Sequence, residues 1–438
     1  MAVHDPSNPD NPPVDVRYWR ERTPELARRR SRTQAALIRE SFEEDRPSLR
    51  RRGRIPSLVT PRYSGEDFQY FYRQSTLLTL GRDAADVYRV LGIADLDRPR
   101  VGPGERLHRL TLPDRVGVHT SLSRLDGELG PGVATPDHVV HLCGNGVICP
   151  ATEPFPTTAT GPTPSVNLDA ETDGRRARVV LIDTGLTSGV VSRHRNLKGV
   201  RGDREQADLG HYRGHGVFVA GVLRAMAPAA QVHVEALLFE RGAVLESDLA
   251  PAMHRALDQA PDIISMSAGT RTRSGLPLKS LQSVWEDRLR HLKGTVLVAA
   301  AGNDGDWQPF YPAAFPWAVS VGALNSTVER RAGYSNYGSW VDVYAQGSRI
   351  VNAYPNGTYH YVEEPMKGQP DATFTTGLAS WCGTSFSTPI VAGLIAGRMT
   401  WSGESAREAA DTLLVLARKN AKLGVGAVLE PGMARIRS

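Results

Sequence analysis

Ser385 stands in Gly383-Thr384-Ser385-Phe386-Ser387-Thr388-Pro389, ahead of the apolar, small-residue run from Ile390 to Met399. A Gly-Thr turn that opens a helix puts this hydroxyl at the helix N-terminus. The positive end of the helix dipole there favours charge building up on an attacked carbonyl. Alone, the pattern is often no more than a helix cap. Three upstream segments add complementary chemistry. Val179-Val180-Leu181-Ile182-Asp183-Thr184-Gly185 reads as a buried strand that delivers a carboxylate to its C-terminal edge. Gly214-His215-Gly216 places a glycine-flanked imidazole at the start of a small-residue helix, a setting that His194 and His211 lack. A further buried strand, from Thr295, ends in Ala300-Ala301-Gly302-Asn303, an amide side chain ahead of a turn. In the order Asp, His, Asn, Ser these groups match acyl transfer. Ser385 is the nucleophile and His215 takes and returns its proton. Asp183 holds the imidazole tautomer, and Asn303 donates to the oxyanion beside the Ser385 N–H.

These four motifs resemble the subtilisin family (subtilases), from about residue 174 to about residue 400. Ile264-Ser265-Met266-Ser267-Ala268-Gly269, Tyr311-Pro312-Ala313-Ala314-Phe315-Pro316 and Tyr334-Ser335-Asn336-Tyr337-Gly338 resemble the family as well. The chain departs from it at Val217 and Phe218, where Thr and His are usual, and at Gln346, where Pro is usual. Many members also insert a calcium-binding loop after the His helix. Here Val222-Leu223-Arg224-Ala225-Met226 runs straight on to Ala227-Pro228, so neither that metal site nor any cofactor is expected. The resemblance implies a slot for the P1 side chain between Ser267-Ala268-Gly269 and Ala300-Ala301-Gly302. Their small residues leave room for a large P1 group. Neither segment carries a carboxylate for Arg or Lys, although Asp304 and Asp306 lie nearby in sequence.

The 438 residues exceed one typical domain, and 40% hydrophobic with 23% charged residues is ordinary for a globular protein. No apolar stretch is long enough to span a bilayer, so no membrane partner is expected. The first residues lack a basic-then-apolar leader, and three cysteines are too few for a disulfide framework. Both features point to the cytoplasm, with secretion by another route left open. Positive charge gathers in Arg28-Arg29-Arg30-Ser31-Arg32 and Arg50-Arg51-Arg52-Gly53-Arg54. Glu40, Glu43, Glu44 and Asp45 lie between these clusters and oppose phosphate, which argues against a nucleic-acid partner.

Four regions follow along the chain. Residues 1–62 form a basic, partly disordered arm with one helix from Pro24 to about Glu44. Residues 63–150 alternate strand, helix, strand, helix, strand, as in a small split α+β module. Subtilase prodomains resemble this pattern in size and position; an unrelated interaction domain is the alternative. Residues 151–173 are a Pro/Thr-rich linker. Residues 174–438 alternate continuous apolar strands with helices, which predicts an α/β fold with a parallel sheet covered by helices on both faces. Residues 357–380 read as an insertion at the substrate rim. Cys143 and Cys149 flank an Asn-Gly hairpin signal, and Cys382 reads as a small buried residue.

The expected activity is that of a serine endopeptidase acting on polypeptides. Its own N-terminal module is expected as inhibitor, and a protein partner is expected as activator. A catalytically silent peptide-binding relative and a dedicated processing protease are the rival readings.

Overall fold

Leu77-Leu78-Thr79-Leu80 alternates between two cores, and that alternation organises the N-terminal module. The computed structural model describes Ile38, Phe42 and residues 59–64, 67–93, 106–113, 116–142, 153–165, 176–205, 212–237, 242–362 and 366–435. Strands β1 (Val59–Ser64), β2 (Asp67–Leu80), β3 (Leu107–Thr111) and β4 (Ala134–His141) form an antiparallel sheet, and helices α1 (Gly81–Leu91) and α2 (Val118–Leu129) accompany it. Leu77 packs with Val87, Leu110, Leu122 and Leu125 beneath the two helices. Leu78 and Leu80 point the other way, into a core shared with the larger body.

The module begins earlier than the boundary at residue 63. β1 pairs along the first half of β2, from Val59 opposite Arg73 to Ser64 opposite Asp67. Pro61 is tolerated there because β1 is an edge strand. Of the helix expected from Pro24 to Glu44, only Ile38 and Phe42 fall among the described residues. Both are helical, and they pack as an i, i+4 pair against Phe68, Phe71 and Val139.

The segment read as a linker is held down in its middle. β5 (Phe155–Pro156) pairs with a late strand, and Thr163 exchanges backbone hydrogen bonds with Val351. The Glu153 carboxylate accepts from Val362 N at 2.8 Å. Composition suggested free chain, but one buried carboxylate and one strand pairing fix residues 153–165 on the body.

The body is a seven-stranded parallel sheet. Its strands are β6 (Arg178–Asp183), β7 (Arg201–Gly202), β8 (Gln231–Ala236), β10 (Ile263–Met266), β11 (Val296–Ala300), β12 (Ala318–Leu324) and β13 (Val343–Gln346), in the order β13-β12-β11-β10-β6-β8-β7. Its central strands β6, β10, β11 and β12 are mostly apolar and buried because both faces are covered, whereas β8 alternates with Gln231, His233 and Glu235, and β7 at the edge is exposed. Val179 and Leu181 face the core of α3 (His215–Met226), α6 (Thr384–Ser402) and α7 (Ala406–Lys419). Val180 and Ile182 face that of α4 (Glu246–Asp258) and α5 (Lys279–Asp287). Strand order reverses between β6 and β10, which opens a crevice at their C-terminal ends. Within the span read as an insertion, β15 (Gly357–Tyr359) pairs with β16 (Ala372–Phe374), and β17 (Leu378–Trp381) follows between β14 (Ile350–Ala353) and β5. No helix among the described residues is long and apolar enough to cross a membrane.

Module and body share one sheet. β4 pairs with β9 (Ala243–Leu245), Val139 opposite Leu245 and His141 opposite Ala243. At this seam Asp137 accepts from Ser247 N and Ser247 Oγ, both at 2.9 Å, so a module carboxylate caps the first turn of α4. The His138 ring lies next to it, 2.7 Å from Glu246, with both side chains fully buried. Arg82 and Arg106 reach Glu286 and Asp287 on α5.

Candidate active site

Asp183 ends β6, and His215 opens α3. The two meet because the backbone between them is bare. Gly214 takes a left-handed φ of +82°, and a Cβ on Gly216 would lie 2.3 Å from Gly185 O. With that contact allowed, Gly216 N donates to Thr184 Oγ1 at 3.0 Å, and His215 Nδ1 comes to 2.7 Å from Asp183 Oδ1. Thr184 N donates to the same carboxylate at 2.8 Å. The imidazole packs against the Trp381–Phe386 pair, 5.4 Å from each ring centroid, the two rings being 5.2 Å apart. Phe218, one of the departures from the family pattern, joins this cluster, 4.7 Å from Phe386 and 5.5 Å from Trp381.

Ser385 is the second residue of α6, where a backbone N–H has no intrahelical acceptor. Four residues on, Pro389 has no N–H to give the Ser385 carbonyl. Ser267 Oγ fills that vacancy at 2.9 Å, while Ser385 Oγ donates to Ser267 O at 3.3 Å. The end of β10 is thereby tied to the start of α6. Asn303 follows β11, and its carbonyl oxygen accepts from Thr384 N at 2.8 Å and Thr384 Oγ1 at 2.9 Å. That orientation leaves the amide nitrogen as the end of Asn303 available to another acceptor. Asp183, His215, Ser385 and Asn303 are all buried.

The two segments expected to wall the substrate slot, Ser267-Ala268-Gly269 and Ala300-Ala301-Gly302, lie on adjacent strand ends. The gap between them is not empty. The ring of Phe310 lies against both Gly269 and Gly302. Asp304 and Asp306 are both drawn to the buried Arg271, with Asp306 at 2.8 Å and Asp304 at 3.6 Å. Along the same wall, His141 of β4 exchanges two backbone hydrogen bonds with Gly269, at 3.0 and 3.1 Å, and Leu142 N donates to Gly242 O at 2.9 Å.

Four contributing residues escape sequence reasoning. Phe310 and Arg271 carry no motif of their own. Their neighbours Gly269 and Gly302 were visible, but the approach of residue 310 to both is purely tertiary. Glu205 supports the turn ahead of His215, accepting from Gly214 N and from Thr187 Oγ1, and burial raises its pKa. Trp381 comes directly after the presumed insertion, in no motif of its own. Cys382 Sγ accepts from Arg349 N at 3.3 Å, and burial pushes its thiol up. Cys143 and Cys149 lie outside the described residues.

The His–Asp pair, Ser385 and Asn303 thus stand at neighbouring strand and helix ends of a parallel α/β sheet, with the Ser385 hydroxyl turned to Ser267 O and not hydrogen-bonded to His215. The profile of the subtilase family, peptidase S8, matches residues 174–426. The chain belongs to that family of serine endopeptidases. Thermitase of Thermoactinomyces vulgaris is 33% identical over 250 residues, 53% of this chain and 78% of thermitase. Subtilisin E of Bacillus subtilis is 30% identical over 257 residues, 54% of this chain and 59% of that one. A thermophilic serine proteinase of a Bacillus strain is 31% identical over 236 residues, 50% of this chain and 51% of its own. The crystal structure of fervidolysin from Fervidobacterium pennivorans, a keratinolytic enzyme related to subtilisin, shares the fold. It does so at a TM-score of 0.56 and 17% identity, covering 83% of this chain and 61% of that one.

Proposed function

We propose that this endopeptidase cuts peptide bonds through Ser385, His215 and Asp183, with Asn303 as oxyanion donor, and that its N-terminal module restrains it. Ser385 Oγ attacks the scissile carbonyl and its proton passes to His215 Nε2. The negative oxygen of the tetrahedral intermediate is met by Ser385 N and Asn303 Nδ2. His215 then returns the proton to the leaving amine. Water repeats the sequence on the acyl-enzyme and frees Ser385. Asp183, accepting from Nδ1, keeps Nε2 as the basic nitrogen and stabilises the imidazolium.

The observation that carries the reading is the pairing of His141 with Gly269. The chain's own backbone already lies along the crevice wall as an extended strand, with Leu142 donating to the facing residue Gly242. A substrate strand needs those same backbone groups, so docked module and bound substrate exclude one another. The test is fluorophosphonate labelling of the full-length chain followed by peptide mapping. The expected result is one adduct, on Ser385, forming faster when the module's seam is weakened. An adduct elsewhere overturns the nucleophile, and a labelling rate indifferent to the seam overturns the restraint.

A further inference from the structure

We propose that Phe310 closes the slot for the P1 side chain and confines this enzyme to cleavage after small residues, Gly, Ala or Ser. The proposal rests on Ser385 being the nucleophile, since that fixes which gap receives P1. The evidence is steric. A Cβ built on Gly269 would sit 2.3 Å from Phe310 Cε1, and one built on Gly302 would sit 3.0 Å from Phe310 Cδ1. At Gly269 the ring is the nearest obstruction, with Tyr311 O next at 2.6 Å; Gly302 is held to glycine first by Asn336 Nδ2 at 2.5 Å and a left-handed φ of +94°, with the ring behind them. The ring is 2% exposed, so it is a filled gap and not a lid over an open one.

The ring is also hard to displace. Thr270 and Tyr311 exchange backbone hydrogen bonds at 2.8 and 2.9 Å, which locks the residue after Gly269 to the residue after Phe310. On the other wall Asn336 Nδ2 donates to Ala301 O at 2.8 Å, and Asn336 N donates to Gly302 O at 3.0 Å. An aromatic P1 group would have to evict a packed phenyl ring held by both walls. A basic P1 group finds no free carboxylate, because Arg271 engages Asp304 and Asp306. The small residues of the two walls therefore accommodate Phe310, and the large P1 side chain expected from them has no room. The chain after Leu142 reads Cys143-Gly144-Asn145-Gly146, itself free of large side chains.

The test compares two chromogenic peptides that differ only at P1, Ala against Phe, with the full-length enzyme. The ratio of their kcat/KM values does not depend on how much of the enzyme is open. We expect Ala to be favoured by about 100-fold or more, the scale on which a filled pocket rejects an oversized group. Phe310→Gly is expected to reverse the preference, and a ratio unchanged from wild type in a folded Phe310→Gly enzyme overturns the proposal. A wild-type preference for Phe, with the probe adduct on Ser385, overturns the proposal and leaves the nucleophile standing. Absence of both hydrolysis and adduct, in the full-length enzyme and equally in its His138→Ala variant with the seam weakened, overturns the protease reading and the proposal with it. Should Phe310→Gly fail to fold, the wild-type ratio still decides.

Discussion

Replacing His138 by Ala should turn a restrained enzyme into an active one. His138 Nδ1 lies 2.7 Å from Glu246 Oε2, with both side chains fully buried at the seam of module and body. Arg273 N donates to the other ring nitrogen at 3.2 Å, which keeps the proton on Nδ1 and directed at the carboxylate. After His138→Ala, the docked state leaves Glu246 buried with Ser280 N, at 3.1 Å, as its remaining donor at this seam. The undocked state lets water reach the carboxylate. Breaking one side of a buried pair costs about 3 kcal/mol or more. At about 1.4 kcal/mol per decade, the undocked fraction rises about 100-fold. Two readouts separate docking from restraint. Hydrogen exchange at Val244, whose strand pairs with β4, reports undocking. Hydrolysis of a small peptide by chain verified intact by mass reports access to Ser385. Both should rise together. Faster exchange with hydrolysis unchanged would refute the argument that the docked strand blocks the crevice.

Three further outcomes are expected. Asn303→Ala should lower kcat by about 10²–10³ with little change in KM, the size of effect seen when one oxyanion donor is removed; a change confined to KM would make Asn303 a pocket residue only. Burial pushes the Asp137 carboxyl from 3.8 up to about 6, against the lowering influence of Arg73. In the undocked module, where water reaches it, the ordinary value applies. Docking therefore takes up a proton, is tightest below about pH 4, and loosens as pH rises through 6. Exchange at Val244, corrected for intrinsic rates, should be better protected at pH 5 than at pH 7, and Asp137→Asn should flatten the difference. Glu205→Ala should slow turnover by freeing the turn ahead of His215, whereas Glu205→Gln, which keeps an acceptor for Gly214 N, should retain most of it; equal losses in both would point to charge and not to positioning.

The parallel sheet was legible because a strand buried on both faces has no polar alternate residues: Val179 through Ile182 had nowhere else to go. The four reactive groups were legible for the same reason, since each follows an apolar strand or opens a small-residue helix. β1 was not legible. Pro61 and Arg62 look like arm, and only the edge of β2 makes a strand of them. Within β2, Ser75 takes a left-handed φ of 55° and the pairing with β4 shifts register between Tyr72 and Leu77, an irregularity that no local pattern reports. Residues 153–165 read as linker by composition, yet Glu153 and Phe155 are bound through partners some two hundred residues away, which no local pattern reports. Phe310 is the sharpest case. Gly269 and Gly302 looked like room for substrate, and the ring that occupies that room comes from a separate segment.

The central claim is that Ser385 and His215 act as one unit with Asp183. The most direct measurement is kcat for His215→Ala, Ser385→Ala and the double variant on a P1-Ala peptide, alongside melting curves that establish the fold. Each single change should remove nearly all turnover, and the double variant should be no slower than either, because neither residue works without the other. Losses that add, or near wild-type turnover in a folded single variant, would contradict the account.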